Sequence, residues 1–155
     1  MKESLLEVRQ YEGDGYGPLV DYGTWRVALL RFAEDMLPRN IAHFQRHDDT
    51  DEVFVLLRGR CMLYLGEGEE SIQSLHAEEM VPLKVYNVKR GVWHNHTLSP
   101  DAVVLIVENR DTADHNSPLC PLDEGQRERL LELHAELWKS CRLPMWEAHR
   151  ICEGA

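Results

Sequence analysis

Across residues 24–108 the chain consists of short apolar runs, rich in β-branched and aromatic residues, with turn residues every few positions. An amphipathic helix of ordinary length does not fit between such turns, so the stretch reads as about eight strands of a sandwich or barrel. The runs are 24–32, 41–47, 52–57, 60–65, 71–75, 84–88, 93–98 and 102–108. Leu57-Arg58-Gly59-Arg60 and Gly66-Glu67-Gly68-Glu69 have the glycine and charge content of tight turns, which makes 52–75 a meander of antiparallel neighbours. Ser99-Pro100-Asp101 marks a further turn before the last strand.

After Asn109 the pattern changes. Two prolines within 116–122 predict an extended arm rather than a helix. From Asp123, a fitting N-cap, the spacing of Leu130, Leu131, His134, Leu137, Trp138 and Cys141 predicts a helix that ends before Pro144. Its apolar stripe is expected to pack on the barrel, the other use being to cover a neighbouring subunit. The whole is read as one all-β domain over 1–155, with a barrel core at about 24–108 and a C-terminal arm and helix at about 109–143. No internal repeat or linker argues for a second domain.

Charge and composition exclude several partners. With 17 basic and 27 acidic side chains the formal charge is −10, which repels nucleic-acid phosphates and anionic membranes. No apolar run has the length of a membrane span, and the first residues lack the core and cleavage site of a secretion signal, so a cytoplasmic location is expected. Cys61, Cys120, Cys141 and Cys152 form no Cys-x-x-Cys pair and are expected to be reduced thiols.

Strand parity gathers the chemistry. Alternate side chains share a face, so His43, Gln45 and His47 line one wall, Val92, His94, His96 and Leu98 a second, and Glu52, Phe54 and Leu56 a third. If these walls face inward, an apolar floor of Phe54, Leu56 and Leu98 lies beneath a polar cluster of His43, Gln45, His47, Glu52, His94 and His96. Burial of such a cluster is costly unless its members pair or hold a metal. Trp93, on the face opposite His94, is expected to pack outside. His76, His115, His134 and His149 are expected to be satisfied locally, and Asp48, Asp49 and Asp51 to solvate a loop.

The two segments Gln45-Arg46-His47 to Gly59 and Gly91-Val92-Trp93-His94 resemble the paired motifs of the cupin superfamily. The first motif reads H-x-H, a short gap, E, six residues, G, and the second P-x-G-x-x-H. Here Gln45 stands where the first histidine is expected, followed by His47, Glu52 and Gly59; Gly91 and His94 meet the second motif, with Lys89 in place of its proline and Leu83 in place of a frequent upstream glycine. The resemblance covers most of 24–108. It implies a double-stranded β-helix, or jelly roll, with His47, Glu52 and His94 as metal ligands and Gln45 in the fourth ligand position. An amide oxygen is a weaker donor than imidazole, so Gln45 binds the ion loosely, leaves the place to water, or bonds substrate. Two imidazoles and one carboxylate suit Fe, Mn, Ni, Co or Zn. Cupin-like barrels also imply a homodimer.

Two functional readings follow. In one, the protein is a metal-dependent enzyme acting on a small polar molecule by oxygenation, isomerisation, decarboxylation or lyase chemistry, with His96 as the catalytic proton carrier. In the other, it is a non-catalytic small-molecule-binding cupin whose metal is structural or absent. No activated nucleophile pair, phosphate loop or dinucleotide fingerprint is present, and no basic helix supports a DNA-binding sensor.

Overall fold

In the computed structural model, which describes residues 5–139, alternation of buried and exposed side chains does most of the building. Ten strands form: β1 (Gly15–Tyr22), β2 (Trp25–Arg31), β3 (His43–Gln45), β4 (Glu52–Arg58), β5 (Cys61–Glu67), β6 (Ser74–Glu79), β7 (Val85–Val88), β8 (Trp93–Leu98), β9 (Val103–Asn109) and β10 (Leu119–Pro121). One sheet has the order β1-β2-β9-β4-β7 and the other β10-β3-β8-β5-β6, with antiparallel pairing throughout. The faces the sheets turn toward each other carry Ala28, Leu30, Phe54, Leu56, Leu63, Val104 and Ile106, each at most 3% exposed. Burial of such residues is the main drive for the two sheets to close.

The eight strands expected over 24–108 are β2 to β9, and among the described residues two more, β1 and β10, form outside that span. β1 was hidden because Gly15, Gly17 and Pro18 break its apolar run, yet it pairs with β2 through a register that shifts at Pro18. Asn116 ends a short 3-10 turn, and within the arm Leu119–Pro121 is extended as expected and pairs as a strand, with Leu119 opposite Gln45 and Pro121 opposite His43 of the same chain. The run placed at 71–75 moves to Ser74–Glu79, because Ile72 leaves the sheet to enter the outer core while Gly68, with φ of 129°, turns the chain. Of the two turn glycines in the motifs, Gly59 has φ of 76°, and a Cβ there would lie 2.5 Å from Ala102 Cα. Gly91 has φ of 78° and donates its N–H to His47 O at 2.8 Å, tying the two motif segments together. Leu83, where the resemblance has a glycine, holds φ of 66° without one, its side chain in solvent.

A second core lies outside the β10-β3-β8-β5-β6 sheet. The helix α1 (Glu124–Lys139) covers it, with Leu130 at 1% exposure packed among Phe44, Tyr64, Ile72, Trp93 and Leu122. Trp93 therefore packs outside, as expected, with the Arg46 guanidinium 4.5 Å from its ring centre. Asp123 caps the helix: its Oδ1 accepts the Gln126 N–H at 2.8 Å, while Gln126 Oε1 accepts the Asp123 N–H at 2.9 Å. Leu131, expected in the apolar stripe, is exposed instead. Cys61 and Cys120 are buried free thiols. The expected helix end at Pro144, together with Cys141, His149 and Cys152, lies outside the described residues.

Candidate metal centre

The two sheets meet at His47, Glu52 and His94. Glu52 opens β4 in one sheet, His94 belongs to β8 in the other, and His47 follows β3. All three are buried, at 5%, 4% and 1% exposure, and one potential ligand atom from each lies within 4.8 Å of the others. Glu52 Oε2 sits 3.0 Å from His47 Nε2 and 2.9 Å from His94 Nε2.

The far side of each ring decides what that contact means. His94 Nδ1 is 2.9 Å from Val92 O, and a carbonyl only accepts, so Nδ1 carries the proton. A neutral His94 then turns a lone pair toward a carboxylate oxygen, and something positive must stand between them: a proton or a metal ion. His47 Nδ1 is held by Ser117 Oγ at 2.8 Å, so both rings are anchored from behind in the manner of metal-ligating imidazoles. Two donors each about 2.1 Å from one ion, at a right angle, lie about 3 Å apart, which is the spacing seen here. The residues fit a divalent ion.

The electrostatics agree with that reading. Burial opposes the charge on Glu52, but the two imidazoles outweigh it and hold the carboxyl down at about 2. Burial likewise pushes the His47 ring down, and the hydrogen bond and charge of Glu52 outweigh it, leaving His47 above its usual value. The trio carries its own counter-charge, so it stays polar inside an apolar barrel.

The trio opens into a cavity of about 400 Å³, floored by Leu30, Phe54 and Ile106. Gln45, half-buried and paired by register with His94, lines it; so do His43, which is exposed, and His96. Burial pushes His96 down to about 4, and its Nδ1 has no partner among the described residues, so the ring is neutral at physiological pH. Among the acidic-loop residues, Asp51 accepts from Asn87 Nδ2, Lys89 Nζ and the Arg90 N–H; the backbone bond first and the two side chains next hold it down at about 2. Asp51 thus clamps the loop before β4 to the turn before β8. His134 is bonded by Tyr64 Oη at 2.8 Å, and exposed His76 lies 3.3 Å from Glu67.

Three contributors were missed from sequence. Glu108, 7% exposed, sits on the inward parity of Val104 and Ile106 on β9, and the Tyr16 hydroxyl from β1 donates to its Oε1. Burial holds the Glu108 carboxyl above its ordinary range, with the Glu52 charge in support and the Tyr16 bond in opposition. Parity on the eighth expected strand was the available signal for Glu108; for Tyr16 and Ser117 there was none, because loop closure brings them in.

No protein-family profile and no curated protein sequence matches the chain. Solved structures do. A Streptomyces Pac13 variant with uridine is 8% identical, with a TM-score of 0.52, over 77% of this chain and 87% of that one; Pac13 is described as a nucleoside dehydratase. The capsular polysaccharide assembling protein CapF from Staphylococcus aureus is 13% identical, with a TM-score of 0.50, over 74% of this chain and 32% of that one. A cupin-2 domain protein from Shewanella frigidimarina is 17% identical over 70% and 88%, with a TM-score of 0.45. The two antiparallel sheets, with both motif segments facing one cavity, give the chain a double-stranded β-helix, the fold expected of a cupin and shared with the Pac13 structure. No helix among the described residues is long and apolar enough to cross a membrane.

Proposed function

We propose that the protein is a metal-dependent enzyme acting on a small polar molecule inside the barrel, with His47, Glu52 and His94 as the metal ligands. The observation that carries this reading is the pair of anchored imidazoles turned on one carboxylate oxygen at the foot of an open cavity. When bound, a divalent ion supplies Lewis acidity toward an oxygen of the substrate. Gln45 stands next to His94 as an additional weak donor, to the ion or to substrate. Ser117 and Val92 O hold the ligand rings in orientation, and Leu30, Phe54 and Ile106 keep bulk water from the floor. His96, unprotonated and facing the same space, is the group that takes and returns a proton.

Elemental analysis of protein purified without a metal-binding tag tests the ligand set. About one divalent ion per chain is expected. Absence of stoichiometric metal, with no thermal stabilisation by Fe(II), Mn(II), Ni(II) or Zn(II), rejects it. One observation favours the non-catalytic reading: both imidazoles already bond Glu52, so the trio is satisfied by protons alone. Glu52→Gln separates the two, because an enzyme loses turnover with its fold intact whereas a binding protein keeps most of its ligand affinity. The proposal extends to a homodimer, which rests on the fold, with the arm around β10 and the helix as material for its interface. A monomeric mass by light scattering at micromolar concentration rejects the dimer.

A further inference from the structure

Glu108 takes no part in the trio, yet it is 7% exposed, ionisable and aimed into the same cavity. On β9 it stands opposite Arg26 of β2 and one step past the Val53–Val107 pair with β4, which sets its carboxyl beside that of Glu52. Tyr16 holds one of its oxygens. No protein donor engages the other, Oε2, among the described residues, and Glu108 is part of the cavity lining.

The rest of the lining offers neutral donors and acceptors, the Gln45 amide and the Thr112 hydroxyl among them, and little free positive charge. Asn95 and Asn40 donate their amide N–H groups to His43 O and Glu34 O. Among the described residues Arg26 is the one Lys or Arg in the lining, and it turns its fork on Asp21, with Nε at 2.8 Å and a terminal nitrogen at 3.2 Å. Asp35 and Asp114 are exposed at the rim. An anionic group entering here meets four carboxylates and no free guanidinium, whereas a hydroxyl meets ready acceptors.

We propose that the cavity takes a neutral, hydroxyl-rich small molecule of the sugar or polyol class, with Glu108 Oε2 accepting one of its hydroxyls and Tyr16 positioning that carboxyl. This rests on the reading of the cavity as the substrate site and names the ligand class for it. The test is titration calorimetry with paired probes: D-glucose against D-glucuronate, and D-ribose against D-ribose 5-phosphate, on the full chain with and without Mn(II). At least one neutral probe is expected to bind about tenfold or more tighter than its anionic counterpart, in both conditions. Glu108→Gln is expected to weaken the neutral probe about tenfold and to narrow the gap. Tyr16→Phe, at a residue 40% exposed, keeps the test open if the first variant fails to fold; it is expected to weaken the neutral probe by a smaller factor. Failure of both neutral probes to bind at millimolar concentration, tighter binding of the anions to metal-free protein, or wild-type discrimination in the folded variants overturns the proposal. Mn(II) uptake, read by electron paramagnetic resonance on the same samples, tests the metal site separately: no uptake removes the metal reading and leaves the neutral-to-anion ratio to decide this one.

Discussion

Two places among the described residues hold histidine against polar partners, one buried and one half-buried, and they have opposite outcomes. Inside the barrel, His47 and His94 are anchored from behind and converge on one oxygen of Glu52, beside an open cavity. Outside the other sheet, under α1, His134 meets the Tyr64 hydroxyl at 2.8 Å and stacks on Trp138 at 4.8 Å between ring centres. Tyr64 lies in turn 3.2 Å from Thr97 Oγ1, and the Arg60 guanidinium covers Trp138 at 4.2 Å. Burial first and the Arg60 charge second keep the His134 ring below its ordinary value. The outer cluster brings hydroxyls, which give and take a proton freely, so it closes on itself. The inner cluster brings a carboxylate and lone pairs, which call for a cation. Histidine with polar partners is common to both; the chemistry of those partners makes only the inner cluster a candidate metal centre.

The largest expected effect breaks the inner cluster alone. Glu52→Ala removes the shared carboxylate, so affinity for Mn(II) or Zn(II) is expected to fall by more than about a hundredfold, beyond the range typical of groups that merely orient a ligand. The same titration on His134→Phe is expected to match wild type. Equal losses in the two variants would erase the distinction.

A pH series on metal-free protein sharpens it. Unfolded, the His96 ring takes its proton near 6.5; folded, burial holds it off until about 4. Between those values the unfolded chain binds more protons, so stability falls as pH falls through that window, by up to about 3 kcal/mol. His96→Gln is expected to flatten the decline in chemical denaturation midpoints from pH 6.5 to 4. A slope unchanged by the substitution would show that other groups carry it.

Smaller effects follow. Ser117→Ala frees the back of the His47 ring, and about a tenfold loss of metal affinity is expected by calorimetry, with stability nearly unchanged. His134→Phe leaves Tyr64 short of one partner and is expected to cost about 1 kcal/mol in urea unfolding without moving metal stoichiometry.

Much of the inner cluster was legible because period-two alternation survives into the fold. His94 and His96 on one strand, and Glu52 with Phe54 and Leu56 on another, face inward as parity requires. The cap at Asp123 and the turn at Gly59 were equally local, and equally readable. What was hidden depends on distant closure. β1 reads as loop because its glycines and proline break the apolar run, and only pairing with β2 makes it a strand. Ser117 reaches His47 across 70 residues and Tyr16 reaches Glu108 across 92, separations at which one chain's pattern carries no signal. The outer cluster was misjudged only in detail: the helix stripe packs on the sheet as expected, but Leu131 faces solvent where Leu130 is buried.

The central claim is that His47, Glu52 and His94 hold one divalent ion. Calorimetric titration of tag-free, chelator-stripped protein with Mn(II) and Zn(II), run beside Glu52→Gln, tests it most directly. One equivalent bound by the wild type and a weakening of at least about a hundredfold in the variant is the expected result. No saturable uptake by the wild type, or equal uptake by the variant, would contradict it.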